Sequence, residues 1–340
     1  MYRFEIIDRS QPEWNKIVKS SDVYDFHHTS YYHSIDNNYN NKLFVAYHNN
    51  DFIALPLVIR PIGETGLFDC TSVYGYAGPL TNRERFDFDS GFKAFFKNSF
   101  DEYCMENSIV AAFSRLHPLI ENEGFFDGFG KVMDINKTVA IDLTLPIDQQ
   151  RAQYRKSNKS EINQLKRKGF IVTEAENQKD IDDFVSIYYE TMERVNAASA
   201  YFFSKEYFNS FLNNNDFDSK LLLAKFDNKV TAGAIFTMTE KIMQYHLAGT
   251  TEEYIKETPM KLILDEARLL GNNRQMETLH LGGGVGGSDM DSLFRFKSGF
   301  SNKQCNFRVW QYIIDNLKYN ELSEKVKDKN SNFFPLYRSE

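Results

Sequence analysis

A run of glycines near the C-terminus is the feature of this sequence that most directly suggests chemistry. Five glycines occupy the six positions 282–287 within LHLGGGVGGSDMDSLFRFKSGF, residues 279–300. A strand that passes through backbone without side chains into the start of a helix offers N–H groups to an anion or an oxyanion. We therefore predict that Gly282, Gly283 and Gly284 bind a substrate or cofactor.

The context of these glycines argues against the common nucleotide-binding motifs. Three of them satisfy G-x-G-x-x-G, but only about 50 residues follow, too few for the further βαβ units of a Rossmann fold. Ser288 and Asp289 stand where a Walker A loop requires Lys and Ser or Thr. Asp289 and Asp291 form a D-x-D pair of the glycosyltransferase kind, but Ser288 and Asp291 also have the spacing of a helix capping box. We favour the cap and predict no metal site.

Two groups of cations accompany the glycine loop. Lys297 lies eight residues beyond Asp289, which is about 12 Å along a straight helix. A ligand with a diphosphate at one end and a reacting group at the other would reach both the start of the helix and Lys297. The alternative interpretation is that Lys297 is an ordinary solvated lysine. The stretch 151–169 carries seven basic residues against one acidic residue. We predict that Arg155 and Lys156 at its start bind an anionic ligand, although most such runs are solvated helix faces.

The composition is that of a globular chain without a nucleic-acid or membrane signature. It has 340 residues, a formal charge of −7 and a pI near 5.6, which argues against DNA as the main partner. Three widely separated cysteines indicate a reducing compartment, and the longest apolar run, IALPLVI (53–59), is far short of a membrane span of about 20 residues. The opening MYRFEIIDRS has no signal-peptide core. We expect a cytoplasmic protein without a membrane span.

The order of the expected elements repeats, which indicates two related halves. LFVAYHNNDFIALPLVIR (43–60) predicts a hairpin around the turn residues HNND, and LLLAKFDNKVTAGAIFTMT (221–239) with IMQYHLAGT (242–250) predicts a three-stranded antiparallel meander. The segments 43–60 and 221–239 occupy equivalent places in two successions of order β-α-α-β-β-β-α-β-α-β. The sequence predicts a mixed α/β fold of two similar domains, residues 1–146 and 147–316, with an extension over 317–340. A cleft between two such domains is a common place for a ligand.

Capping residues predict several helix ends. Ser10 has capping-box spacing at the start of the first helix, and Thr258 is the expected N-cap of a later one. Gly169 and Gly271 are expected to end the basic helix and the later helix, respectively. A further helix is predicted by one apolar face, which consists of Phe92, Phe95, Phe96, Phe100 and Tyr103.

Six segments spread over nearly the whole chain carry a family resemblance. Five of them are RKSNKSEINQLKRKGF (155–170), YYETMERVNAASAYFF (188–203), YHLAGT (245–250), LHLGGG (279–284) and DSLFRFKSGFS (291–301). They resemble the FemABX-like acyltransferases, which are tandem versions of the GNAT acetyltransferase fold. The sixth, SVYGYAGPL (72–80), is similar to a variant found in small acyltransferases of surface-polysaccharide gene clusters.

The resemblance implies two tandem GNAT-like domains and transfer of an acyl group to an amine. In single GNAT domains acyl-CoA enters where two central strands splay apart, and its diphosphate binds a Q/R-x-x-G-x-G/A loop. The corresponding segment here, TEEYIKETPM (251–260), contains no glycine. That departure is typical of members that use aminoacyl-tRNA to build peptidoglycan, many of which carry a long helical hairpin that this compact chain lacks.

His246 and its neighbour Tyr245 are the expected catalytic residues. Acyl transfer requires a neutral amine, donors for a tetrahedral oxyanion and a proton source for the leaving group. His246 is a motif histidine of the second half, and an imidazole with a pKa near 6.5 suits proton transfer from an amine. The alternative is a packed strand histidine, with water or the substrate's own free amine in place of a protein base.

Two further groups are expected to bind substrate. Arg194, Asn196 and Tyr201 follow a predicted helix and would orient a sugar or an acyl chain. The second group, from the first half, would stack on a sugar or a base, although ordinary sheet-edge aromatics have the same pattern. Its members are Tyr74, Tyr76 and Gly78.

The resemblance leads to one expected function and two alternatives. The chain is most similar to N-acyltransferases that move an acetyl or short hydroxyacyl group from acyl-CoA to the amino group of a dTDP-linked 3-amino-3,6-dideoxyhexose. Such enzymes serve the synthesis of surface polysaccharides, including the O-antigen of lipopolysaccharide. One alternative is an aminoacyl-tRNA-dependent transferase of peptidoglycan cross-bridges, against which the acidic pI argues mildly. The other is a catalytically silent carbohydrate-binding protein.

Overall fold

The chain folds into two compact units. The computed structural model describes residues 1–35, 39–122, 124–284 and 291–339. Residues 1–136 with 306–340 form the first unit, and residues 137–305 form the second unit. The domain limits expected at residues 146 and 316 stay predictions.

Strands and helices are interspersed along the described chain. The strands are β1 (Tyr2–Asp8), β2 (Asn40–His48), β3 (Asp51–Pro61), β4 (Phe68–Thr71), β5 (Leu80–Thr81), β6 (Ile109–Leu116), β7 (Lys131–Asp142), β8 (Ile171–Glu174), β9 (Asp218–Phe226), β10 (Lys229–Met238), β11 (Ile242–Thr250), β12 (Thr278–Gly282) and β13 (Gln304–Ile313). The helices are α1 (Glu13–Lys19), α2 (Ser30–Ser34), α3 (Ser90–Glu106), α4 (Ile147–Ala152), α5 (Lys156–Lys168), α6 (Gln178–Arg194), α7 (Lys205–Leu212), α8 (Met260–Asn273), α9 (Ser292–Lys297) and α10 (Asn316–Ser323). None of the helices in the described ranges is long and apolar enough to cross a bilayer.

The sheet of the first unit is built around the predicted hairpin. β2 and β3 pair antiparallel up to His48 and Asp51, which confirms the hairpin and its turn at residues 49–50. The strand order is β1-β2-β3-β4-β6-β13, with β5 beside β3. β4 and β6 run parallel, and the other neighbours run antiparallel.

α3 closes the core of the first unit. Phe92, Phe96 and Phe100 on its predicted apolar face are fully buried, and Phe100 packs edge-to-face on Trp310. Asp89 caps the helix, because its Oδ1 accepts from the Phe92 N–H at 2.9 Å. Burial of each large aromatic side chain contributes roughly 1.5–3 kcal/mol, so this face fixes the helix against the sheet.

The sheet of the second unit contains the predicted three-stranded meander. β9, β10 and β11 pair antiparallel in sequence order, and the strand order is β7-β12-β11-β10-β9-β8. β11 and β12 run parallel, whereas β12 and β7 run antiparallel. α5 and α8 pack on one face of the sheet, and α6 and α7 pack on the other.

The start and the end of α8 differ from the prediction. The helix continues past Gly271 to Asn273, so Gly271 does not end it. An added Cβ at Gly271 would lie 2.6 Å from a methyl carbon of Leu143, which explains the glycine by close packing. Thr258 is not the N-cap, because its backbone is left-handed (φ +56°) and its hydroxyl bonds to Glu161 at 3.0 Å.

Two other predicted helix ends have opposite outcomes. The capping box at Ser10 is wrong, because α1 begins at Glu13 and the Ser10 hydroxyl bonds to Asp8 Oδ1 at 2.8 Å. Gly169 ends the basic helix as predicted, in the left-handed conformation at φ +95°. That helix is interrupted at residues 153–155, so the basic run forms the two helices α4 and α5.

Candidate active site

The second unit has a gap in its sheet where two central strands separate. β11 and β12 pair over three residues, which end at Gln244 and His280. β11 then continues to Thr250, whereas β12 shifts its register against β7 and pairs there through Gly282. The ladder between the two strands therefore ends at Gln244 and His280, and the facing edges of β11 and β12 are not paired with each other beyond this point.

A bulge in β11 accompanies this separation. Ile235 of β10 faces Leu247 and Phe236 faces Tyr245, so His246 is an extra residue in β11. A bulge bends its strand and increases the local twist. The predicted catalytic pair therefore lies at the start of the gap.

Lys297 is a buried cation beside the gap. It ends α9, is only 7% exposed, and donates from Nζ to the Gly283 carbonyl oxygen at 2.7 Å. The same nitrogen lies 5.6 Å from the ring centroid of Tyr245, within range of a cation–π interaction. The structure thus brings together three residues that the sequence analysis selected.

Burial sets the protonation of this group. Removal from water lowers the pKa of Lys297 to about 8, although the Asp291 carboxylate acts in the opposite direction. Burial also raises the pKa of Tyr245, so its phenol keeps its proton at neutral pH. At pH 7 the site therefore contains a mostly charged ammonium and a neutral phenol, and both groups carry protons that can be donated to a substrate.

Asp291 acts as a helix cap. Its Oδ1 accepts from the Phe294 N–H at 2.8 Å and so begins α9. A Cβ at Gly284 would lie 2.1 Å from this oxygen, so packing against the cap explains that glycine. The remainder of the loop, 285–290, lies outside the described residues, and with it Ser288 and Asp289. Within the described ranges, no three His, Cys, Asp or Glu side chains are grouped to hold a metal ion.

Tyr245 and His246 lie on opposite faces of the sheet. Tyr245 packs with the cluster beneath α5 and α8. His246 lies beneath α7, stacked on Phe211 with ring centroids 4.8 Å apart, and its Nε2 is 3.1 Å from the Tyr207 hydroxyl. The role of His246 as a base stays a prediction, and any such role belongs to the face opposite Lys297.

The predicted binding residues after α6 lie on the His246 face. Arg194 ends α6 and donates to Thr191 Oγ1 at 3.3 Å, and Thr191 in turn donates to the Thr250 carbonyl at 3.1 Å. Asn196 has φ of +50°, and Tyr201 ends a short 3₁₀ turn. These hydrogen bonds attach the C-terminal end of α6 to the end of β11.

His280 is a residue of the gap that the sequence analysis missed. It is fully buried, with Nδ1 2.7 Å from Gln244 Oε1 and Nε2 2.8 Å from Thr138 Oγ1. These bonds join β11, β12 and β7 at the last paired position before the strands separate. The signal in the sequence was a polar residue between two leucines of a buried strand, in LHL (279–281).

A cationic cleft lies on the α9 side of the gap. It has a volume of about 310 Å³, and its lining residues are Arg155, Ser157, Asn158, Lys261, Ser292, Arg295 and Phe296. Arg155 donates to Ser298 Oγ at 2.9 Å, whereas Lys261 pairs with Glu161 at 2.5 Å. Lys156, the other predicted basic residue, is exposed at the first position of α5. Two guanidinium groups and an ammonium in one cleft favour an anionic ligand.

The segment before α8 differs from a glycine-rich phosphate loop. Residues 252–257 form a 3₁₀ helix, with Glu252 and Glu253 exposed at its start. Glu252 N–H donates to Glu190 Oε1 at 2.6 Å. Carboxylates repel a diphosphate, so this end of α8 is electrostatically unsuited to the phosphate site of single GNAT domains.

The predicted aromatic segment of the first unit forms the loop between β4 and β5. Tyr74 is 64% exposed, whereas Tyr76 packs edge-to-face on His117 and Phe307. Gly78 has φ of +101° and lies against Leu116. This segment therefore presents one aromatic ring outward and anchors the next one inward.

Comparison with known proteins identifies the fold. No protein-family model matches the sequence, and no curated protein matches it. Among solved structures, FemX superposes with a TM-score of 0.74 at 11% identity, over 93% of this chain and 99% of its own. L-PGS from Bacillus licheniformis gives 0.58 at 13% identity, over 89% and 92%. A tandem GNAT protein from the clavulanic acid biosynthesis pathway gives 0.50 at 10% identity, over 92% and 99%. The chain therefore has the mixed α/β fold of FemX and of tandem GNAT proteins, which confirms the fold predicted from the sequence.

Proposed function

We propose that this chain is an N-acyltransferase that joins an acyl donor and an amine in the gap between β11 and β12. The observation that carries the proposal is the buried Lys297 ammonium beside the separated strands. Acyl transfer builds negative charge on the carbonyl oxygen, and a fixed cation in a site of low dielectric stabilises that charge strongly. The tandem GNAT fold supports the same chemistry.

The reaction has an addition step and a collapse step. The neutral amine attacks the acyl carbon, a C–N bond forms, and the carbonyl oxygen becomes an oxyanion that Lys297 stabilises by N–H donation. The ammonium has three protons, so its bond to Gly283 leaves others for the substrate. Before the attack, His246 or water takes the proton of the bound ammonium, which makes the amine neutral. After the attack the oxyanion collapses and the bond to the leaving group breaks. The nitrogen gives its second proton to solvent, and the leaving group, which accepts a hydrogen bond from the Tyr245 phenol, takes a proton from solvent.

The two faces of the gap have different roles in this proposal. The donor approaches from the face of α8 and α9, where Lys297, Tyr245 and the cationic cleft lie. The amine approaches from the face of α6 and α7, where His246 lies and where Arg194 borders the end of β11. Because the sheet is open between β11 and β12, the acyl carbon and the amine nitrogen can meet there from opposite faces, and neither substrate has to pass around an edge of the sheet.

His246 is tested by comparing acceptors. As a general base it contributes about 10²-fold or more to kcat, so His246→Gln is expected to lower kcat by at least that factor with an amine that is protonated at neutral pH. Hydroxylamine, which is already neutral there, is expected to react with similar rates in both proteins. Tyr207→Phe, which removes only the hydroxyl bonded to Nε2, is the matched control. Equal losses with both acceptors would instead assign His246 a packing role.

The proposed substrates are acyl-CoA, with an acetyl or short hydroxyacyl group, and a dTDP-linked 3-amino-3,6-dideoxyhexose in the cytoplasm. The cationic cleft supports a ligand that carries phosphates, and the resemblance of the YGYAGP segment (74–79) to small acyltransferases of surface-polysaccharide gene clusters supports a sugar acceptor. The test measures thiol release from several acyl-CoAs in the presence of dTDP-amino sugars, with Lys297→Met as the inactive control. Absence of thiol release with every pair would refute this choice of substrates.

An aminoacyl-tRNA donor is the second candidate, and specific observations favour it. Glu252 and Glu253 stand where single GNAT domains hold the CoA diphosphate, and the superposition with FemX covers nearly the whole chain. In this version the cationic cleft holds RNA phosphates, and the acceptor is a muropeptide precursor. Transfer of a radiolabelled aminoacyl group that requires charged tRNA, together with no thiol release from acyl-CoA, would establish this candidate in place of the first.

The cationic cleft is tested through the donor's KM. Arg155→Ala and Arg295→Ala are each expected to raise the KM for the donor about tenfold, because each removes one charge-assisted contact to phosphate. The effect should shrink at high salt, since these side chains are exposed. Arg167→Ala, an exposed arginine near the far end of α5, is the control and should leave KM unchanged. An unchanged KM in the two cleft variants would remove the cleft from the site.

A further inference from the structure

The helix that carries Lys297 is too short to hold its own place. α9 has six residues, Ser292–Lys297, and an isolated helix shorter than about 12 residues is marginal in water. Its position therefore depends on the burial of Phe294 and on the contacts that its two ends make. Both ends contact the same stretch of backbone, the consecutive residues Gly283 and Gly284.

Asp291 fixes the N-terminal end of this helix. Its Oδ1 accepts from the Phe294 N–H at 2.8 Å, and an added Cβ at Gly284 would overlap that oxygen. At the other end, Lys297 donates from Nζ to the Gly283 carbonyl oxygen at 2.7 Å. The cap and the cation are therefore attached to neighbouring peptide groups, so a displacement of the cap would displace the cation.

The charge of Asp291 also acts on Lys297. Burial favours the neutral amine, whereas the Asp291 carboxylate favours the ammonium. Lys297 is only 7% exposed and Asp291 is partly buried, so water and salt screen their attraction less than that of a surface pair. Without the carboxylate, the ammonium would lose its proton at a lower pH.

Groups from three elements surround Lys297. The Tyr245 ring of β11 lies 5.6 Å from Nζ, and its phenol keeps its proton because burial raises its pKa. Arg155, at the start of α5, donates to Ser298 Oγ at 2.9 Å, and Arg295 of α9 is exposed. Guanidinium groups stay charged, so these three side chains keep a constant charge near pH 8. A change in charge there reports Lys297.

We propose that Asp291 is a positioning residue for Lys297, which holds α9 on the two glycines and keeps the ammonium charged at neutral pH. Asn, Asp and Ser cap helices about equally well, so the cap alone does not require a carboxylate. The second task does. The catalytic meaning of this link rests on the proposed function, whereas the link between the two side chains does not.

The charge is tested without substrate, by NMR titration of protein labelled with carbon-13 at lysine Cε. The Lys297 signal is assigned by its absence from Lys297→Arg. In Asp291→Asn, which keeps a capping side chain, the midpoint of this signal is expected to fall by at least about 0.5 pH unit. Glu240→Gln removes an exposed carboxylate of the same unit and should leave the midpoint where it is. An unchanged midpoint in Asp291→Asn would overturn the proposal.

The position is tested by kcat at two pH values. At pH 6, where Lys297 is charged in every variant, Asp291→Ala lacks the cap and should have a kcat at least about tenfold below that of Asp291→Asn. From pH 6 to pH 8, the kcat of Asp291→Asn relative to the parent should fall about twofold or more. Asn177→Ala, which removes the cap of α6, is the matched control and should keep the parent's kcat. Equal values for the two Asp291 variants at pH 6 would also overturn the proposal.

The outcomes separate this inference from the proposed function. A lower midpoint in Asp291→Asn, in a protein that transfers no acyl group, keeps the link between Asp291 and Lys297 and removes the function. Acyl transfer with the same pH profile in the parent and in Asp291→Asn keeps the function and removes the link.

Discussion

Replacing Lys297 by methionine is expected to lower kcat by about 10²–10³-fold, the loss seen when one oxyanion donor is removed. The physical reason is that the buried ammonium is the charged group fixed beside the gap, held there by the Gly283 carbonyl. In the parent protein kcat should fall as the pH rises through about 8, where Lys297 loses its proton. In a Lys297→Arg variant any remaining activity should lack this alkaline fall, because a guanidinium stays charged.

The same substitution is expected to stabilise the protein at neutral pH. The pKa of Lys297 is lowered to about 8 in the folded state, so below pH 8 folding must bury a charge that the unfolded chain keeps in water. At about 1.4 kcal/mol for each pKa unit this penalty is about 3 kcal/mol, and loss of the bond to Gly283 offsets part of it. Lys297→Met should therefore raise the free energy of unfolding by about 2 kcal/mol at pH 7.

The pH dependence provides the control for this prediction. As the pH rises from about 8 to about 10, the folded parent loses the buried charge before the unfolded chain does, so the advantage of Lys297→Met should largely disappear. Urea unfolding at pH 7 and at pH 10 measures both values, and Lys256→Met, at an exposed position of the same unit, should show no difference. A variant that is less stable than the parent at pH 7 would show that the charge is not buried at a penalty.

Acidification is expected to destabilise the first unit by about 4 kcal/mol between pH 7 and pH 5. Burial lowers the pKa of His28 to about 3 and that of His33 to about 4, and it lowers the pKa of His27 as well. The unfolded chain, with histidine pKa values near 6.5, binds protons first as the pH falls. Stability is therefore full above about pH 6.5 and is lost below it; His28 and His33 account for the 4 kcal/mol, at about 1.4 kcal/mol each per pH unit over about 1.5 units, and His27 acts in the same direction.

Tryptophan fluorescence isolates this effect. The chain has two tryptophans, and both Trp14 and Trp310 are buried in the first unit. Urea midpoints read from this signal should fall steadily from pH 6.5 to pH 5. His33→Asn removes one of the buried imidazole rings. It should therefore reduce the slope of the free energy of unfolding against pH by about 1.4 kcal/mol per pH unit, which corresponds to one proton. A midpoint that does not change over this range would show that the histidines are protonated in the folded state.

Patterns within one segment predicted much of the fold, because those patterns depend on neighbours in sequence. The hairpin 43–60, the apolar face of α3 and the glycine end of the basic helix each arise from periodicity or from one capping residue. Gly271 was misjudged for the opposite reason. A glycine after an apolar helical pattern has the same local appearance whether it ends the helix or admits a neighbour such as Leu143.

The site was only partly predictable, since its geometry depends on pairing between distant strands. Lys297, Tyr245 and Gly283 were selected from motifs, but their proximity depends on how α9 returns to β11. Tyr245 and His246 point to opposite faces because successive strand residues alternate, but the helices that each side chain meets, and the bulge at His246, depend on the tertiary fold. His280 was not selected at all, because its bonds to Gln244 and Thr138 depend on the pairing of β12 with β11 and β7.

The short ladder between β11 and β12 has a consequence for substrate choice. Because the strands share three paired positions and then diverge in the folded chain itself, no interstrand hydrogen bonds must be broken before a substrate enters. His280, hydrogen-bonded to Gln244 on one side and to Thr138 on the other, joins the three strands at the start of that opening. The range of acyl-chain lengths that the site accepts, among thioesters or aminoacyl esters, would then depend on the side chains that line the gap. A change in the size of one of these side chains should broaden or narrow that range without altering folding.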